Sequence, residues 1–180
     1  MVQETPRMIN NALKQGQKQN LGFGEAVGKK ILESDIKYKD LSILAAGYRL
    51  NIPVTVHVAI GTDIIHQHPE TEGDVTGELS YRDFKIFCDQ VAKLEKGSVV
   101  LNFGSAVILP EVFLKALTVA RNLGFQAHGF STANFDMLQH YRPRVNVIQR
   151  PTQTGGKGFQ FTGHHEIMIP LLAASILEKI

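Results

Sequence analysis

The chain has 180 residues, of which 43% are hydrophobic and 20% charged, with a formal charge of +2; this excludes a disordered polypeptide. A chain of that length buries roughly 70% of its unfolded surface, so a single α/β domain over 1–180 is expected. Basic residues are spread along the sequence rather than gathered in a stripe, which argues against nucleic acid as a partner. No apolar run reaches the about 18 residues of a membrane span. The N-terminus lacks a secretory pattern and Cys88 has no second cysteine to pair with, so a cytoplasmic protein is expected.

The first 51 residues read as helical. Met8, Ile9, Ala12 and Leu13 share one helical face. Phe23, Ala26, Val27 and Ile31 repeat the spacing, and a third helix follows with Asp40 as N-cap. From 52 onward strand and helix alternate. Runs at 53–60, 98–103, 124–131 and 144–150 are β-branched or aromatic and bounded by Gly or Pro, as strands are. Helical periodicity occupies 81–96 and 110–123 and recurs in a last helix in HHEIMIPLLAASILEK. Such alternation implies a three-layer, mainly parallel sheet with helices on both faces. Ligands of these sheets bind beyond the carboxyl ends of the strands, which directs attention to GTDIIHQHP, GSAVILPE, STANFDM and PTQTGGKG.

His66 and His68 would share one face of an extended segment, and imidazole is a common metal ligand; His164, His165 or Glu166 would complete such a shell. In the competing reading one histidine lines a cleft and the other bonds to backbone. GFGEAVG fails as a dinucleotide fingerprint, because its last glycine comes one place late and no strand precedes it; close helix packing explains these glycines. Gly104 and Ser105, at a strand end leading into a helix, suit the approach of a phosphate. A nucleophile elbow is ruled out by Val107, where glycine would be required. Lys157, with Arg142, Arg144 and Arg150 near it in sequence, offers cations for phosphate or carboxylate or forms a solvated loop. His164, His165 and Glu166 open the last helix, where the positive dipole end favours an anion. Cys88 sits among Phe84, Phe87 and Val91 as inert core.

From about residue 52 onward these segments resemble the C-terminal half of deoxyhypusine synthase. AIGTDIIHQHP is similar to that family's glycine-acid-apolar-histidine stretch, with Asp63 in the place of the acid that faces the amine substrate. HGFSTAN resembles the family's strand beside the cofactor, here Ser131, Thr132 and Ala133. HHEIMIPLLAA is similar to its closing helix, where His165 or Glu166 would meet the adenosine of NAD. The resemblance implies a Rossmann-like NAD-binding fold and a homo-oligomer with sites between subunits. It also implies small-molecule partners, a nucleotide and an amine or polyol, with Asp63 orienting the substrate and His66 or His68 relaying protons. Two departures stand against full transfer. The family's imine-forming lysine lies in a Trp-Gly-Lys segment, and this chain has no Trp; its N-terminal half has no counterpart here. Two other readings follow from the residues: a metal-dependent hydrolase built on His66 and His68, or a non-catalytic half-domain that assembles with a partner or with its own copy.

Overall fold

The computed structural model describes residues 3–180, and the chain divides after Phe87 into two compact units. The first is helical, as the apolar spacing requires: α1 (Glu4–Lys18), α2 (Phe23–Glu33), α3 (Ile43–Leu50) and the start of α4 (Gly73–Ala92). Ala12, Leu13, Phe23, Ala26, Val27, Val75 and Leu79 form its core, with Ile31 and Leu44 packed against it. Glycines set the helix spacing. A Cβ on Gly16 would strike that of Ala26, one on Gly28 the carbonyl of Leu44, and one on Gly24 the carbonyl of Val54. The packing explanation for GFGEAVG therefore has a direct geometric basis.

Two local expectations change in this unit. The N-cap of α3 is Ser42, whose hydroxyl accepts from the Ala45 N–H at 3.3 Å, while Asp40 lies in the preceding 3-10 turn (Lys39–Leu41). The run 53–60 pairs with no strand among the described residues. Its backbone is held by α4 side chains instead: the Val56 N–H donates to Asp83 at 2.7 Å, the Val58 N–H to Ser80 Oγ at 3.2 Å, and Ser80 donates back to the Val56 carbonyl. A helix face carrying Ser and Asp thus replaces a neighbouring strand.

The second unit holds a parallel sheet in the order β1 (Val99–Phe103), β2 (Ser131–Asp136), β3 (Gly158–Thr162). α5 (Ile108–Asn122) joins the first two strands; a π-helix (Pro143–Gln149) running into the single turn α6 (Arg150–Thr152) joins the last two; α7 (His165–Leu177) follows β3. The coarse α/β class matches expectation, but two strands move. Residues 124–130 are not strand, because Gly124, Ala127 and Gly129 all take positive φ, and the strand begins where they end. The β-branched run 144–150 forms the π-helix rather than a strand. Pro143, with its fixed φ, stands at the helix start, and Asn146, Val147 and Ile148 bury one side.

The register aligns Leu101, Ala133 and Phe159, then Phe103, Phe135 and Phe161, on one face; Asn102, Asn134 and Gln160 lie on the other. The π-helix lies on the asparagine face, since a Cβ on Gly158 would meet Ile148. α5 lies beside it there, tied through Asn146 to Glu111 at 2.8 Å. Both crossovers thus cover one face, where a three-layer arrangement would cover both.

Candidate functional site

The carboxyl edge of the second unit's sheet gathers the polar groups of three strand exits. Gly104 leaves β1 with φ +62, and a Cβ there would press on His165 Nε2 at 3.1 Å. The same imidazole meets Phe103 edge-on, with ring centres 6.3 Å apart. His165 Nδ1 is buried without a hydrogen-bond partner among the described residues. Glu166, next to it at the start of α7, is exposed and makes no ion pair or side-chain hydrogen bond among the described residues. Gly104 and Ser105, His165 and Glu166 are thus brought to one edge.

At the β1 exit the Ser105 hydroxyl accepts from the Leu109 N–H at 3.1 Å, tying it to the first turn of α5, and its own O–H can still donate to a ligand. Pro110 lacks an N–H, and Glu111 sits in the first turn with Lys115 and Arg142 around its carboxylate. Hydrogen bonding from Lys115, with Arg142 nearby, holds the Glu111 carboxyl below its ordinary range. The helix dipole already has an anion of its own there.

Ser131, Thr132 and Ala133 lie elsewhere. They form the amino half of β2, paired with Val99, Val100 and Leu101, so Ser131 is about 16 Å along the strand from its exit at Asp136. Thr132 is fully buried, and its hydroxyl has no partner among the described residues. PTQTGGKG also belongs to the amino edge, entering β3 rather than leaving a strand: the Lys157 carbonyl accepts from the Thr132 N–H at 2.8 Å. Gly156 is packed so closely that a Cβ would strike the Phe130 carbonyl. Of the nearby cations, Arg142 pairs with Glu111 at 3.3 Å and Arg144 stands over the Tyr141 ring.

In the first unit, Asp63 is exposed before a 3-10 turn (Ile64–Gln67) and caps nothing with its side chain. His66 Nδ1 accepts from the Gly61 N–H at 3.1 Å and His68 Nδ1 from the Glu70 N–H at 3.2 Å. Accepting at Nδ1 puts the proton of each neutral ring on Nε2; His66 Nε2 is buried with no partner among the described residues. Both histidines therefore bind the backbone that shapes their own turn. No set of three or more His, Cys, Asp or Glu side chains among the described residues is placed to hold a metal.

The sequence reading missed the chain of amides behind the edge. Asn102 donates to the Ser105 carbonyl at 3.1 Å and to Asn134 Oδ1 at 2.7 Å; Asn134 donates to Gln139 at 2.8 Å; Gln139 donates to the Phe161 carbonyl and to Thr162, each at 3.1 Å. It fastens all three exits together. The signal was an Asn-Phe pair recurring in VVLNF and STANFD, which the register places side by side.

Comparison of the chain with family models, with curated proteins and with solved structures finds no match.

Proposed function

We propose that the second unit binds a nucleotide at the carboxyl edge of its sheet, with NAD as the ligand suggested by the likeness to deoxyhypusine synthase. One observation carries the reading: Gly104, Ser105, His165 and Glu166 come to a single edge from separate strand exits. The groups suit the adenosine end. Among the described residues Glu166 is an unpaired carboxylate, suited to ribose hydroxyls, and the His165 imidazole keeps a polar atom without a partner. The pyrophosphate end is more sparsely served, by the Ser105 O–H and the first N–H of α5.

NAD, when bound, supplies a hydride acceptor. What the chain itself supplies on this reading is orientation, with Gly104 letting the ligand approach the backbone. The acid we assign to an amine or polyol is Asp63, exposed and free of capping duty in the first unit.

Titration calorimetry with NAD, run beside NADP and ADP-ribose, tests the reading. Saturable micromolar binding that weakens at least tenfold in Glu166→Gln is expected, with Asp63→Asn binding as the wild type. An absence of heat with all three ligands in folded protein removes the proposal.

A further inference from the structure

Where α3 ends, Asn51 takes the left-handed conformation with φ +55, and the Ile52 N–H donates to the Gly47 carbonyl at 2.9 Å. The chain turns back along its own helix. Residues 52–55 then press so closely on α2 and α3 that a Cβ on Gly24 would strike the Val54 carbonyl and one on Gly47 the Val54 side chain. Between this segment, the two helices and α4 a cleft of about 160 Å³ stays open. Leu44, Tyr48, Ile52, Val54 and Ile86 give it apolar walls, and Glu25 and Asp83 give it two carboxylates; no cationic side chain among the described residues lines it.

Asp83 is 1% exposed, and a buried charge is ordinarily paired. No cation among the described residues pairs with this one. Its Oδ2 accepts both the Gly24 and the Val56 N–H, while Oδ1 accepts no hydrogen bond among the described residues. Burial holds the carboxyl above its ordinary range, and the like charge of Glu25 pushes it the same way. Glu25 itself is exposed and makes no ion pair or side-chain hydrogen bond among the described residues.

We propose that this cleft binds a small molecule through a guanidinium group. Room and chemistry both select it. A cavity of about 150 Å³ takes the six non-hydrogen atoms of benzene, and a guanidinium with a two-carbon tail has as many. A hard metal ion, which takes about six to eight oxygens, is poorly served by two carboxylates among apolar walls. Of the organic cations, an ammonium is strongly hydrated and would lose that water against the walls. A guanidinium is weakly hydrated, spreads its donors toward separate carboxylates and stacks on an aromatic ring such as that of Tyr48. Its charge would complete the pair that the chain leaves open at Asp83. The cleft lies wholly within the first unit, does not use Asp63 and does not depend on nucleotide binding.

Amide NMR spectra of the isotope-labelled chain, titrated with ethylguanidinium chloride, test the assignment. The amides of Gly24, Gly47 and Thr55 are expected to shift saturably with a Kd on the order of 1 mM, as suits so small a ligand, while those of β1, β2 and β3 stay in place. Asp83→Asn, which keeps a hydrogen-bond acceptor, should weaken binding at least tenfold, and Glu25→Gln, at an exposed position, about threefold. n-Pentylammonium, of equal size, should bind at least tenfold more weakly than ethylguanidinium. Failure to saturate at tens of millimolar in folded protein overturns the proposal. So does binding unchanged in both variants, n-pentylammonium binding as tightly as ethylguanidinium, or the same shifts with sodium chloride.

Discussion

Replacing Asp83 by alanine should unfold the first unit more readily than any surface change. The side chain is 1% exposed, and its carboxylate accepts from the N–H groups of Gly24 at 2.9 Å and Val56 at 2.7 Å. It thus caps α2 from outside and holds the extended segment that no strand supports. Two donors left without an acceptor cost about 1–3 kcal/mol each. Because Val56 is only half-buried and recovers part of this from water, Asp83→Ala should lose about 3 kcal/mol in urea unfolding followed by circular dichroism. Asp83→Asn keeps an acceptor and should lose less than half as much. The pH dependence has a definite sign. Burial pushes the Asp83 carboxyl above its ordinary range, outweighing the pull of the backbone donors, so the folded state takes up a proton before the unfolded state does. The stability gained by protonation is complete below the unfolded value near 3.8 and is lost as pH rises through the raised folded value. Relative to Asp83→Asn, the wild type should therefore gain stability on acidification. A loss of less than about 1 kcal/mol in Asp83→Ala, or equal losses in the two variants, would refute the capping argument.

Two glycine substitutions should move stability in opposite directions. Gly28→Ala drives a methyl into the Leu44 carbonyl and should destabilise by about 2–3 kcal/mol. Gly77→Ala, inside α4 with nothing near its Cβ position, should stabilise by about 0.5–1 kcal/mol. Asn134→Leu breaks the amide chain at its centre and leaves Asn102 and Gln139 without their partner. A loss of about 2–4 kcal/mol in denaturant unfolding is expected. His57, hydrogen-bonded to Thr55 at 3.0 Å and set edge-on to Phe87, is held below the ordinary imidazole range by burial. Its contribution to stability should be lost as pH falls from about 6.5 through the depressed folded value, a dependence that His57→Gln should abolish. An NMR titration of the His57 ring placing its midpoint at or above the free value would contradict this.

The sequence alone determined the helices. Their apolar periodicity needs only one face and a core, and it located α2, α5 and α7 to within a few residues, whereas α1 runs on through the polar stretch to Lys18 and α4 begins at Gly73, ahead of its apolar spacing. It also determined β1, and it marked Gly104 and His165 as residues of one edge, because strand exits in parallel sheets converge by topology. Tertiary structure decided the rest. β-branched runs at 53–60 and 144–150 carry the same local preference as β1, yet one lies along the Ser80 and Asp83 side of α4 and the other winds as a π-helix. Strand identity depends on a neighbour, which local sequence does not contain. The histidines of GTDIIHQHP have the spacing of ligands, but whether a ring nitrogen faces a metal or the backbone is set by how the turn closes, and here both Nδ1 atoms accept backbone N–H groups. Which face of the sheet the crossovers cover was equally hidden. Alternation tells which residues share a face, whereas only the packed crossovers determine which face is covered.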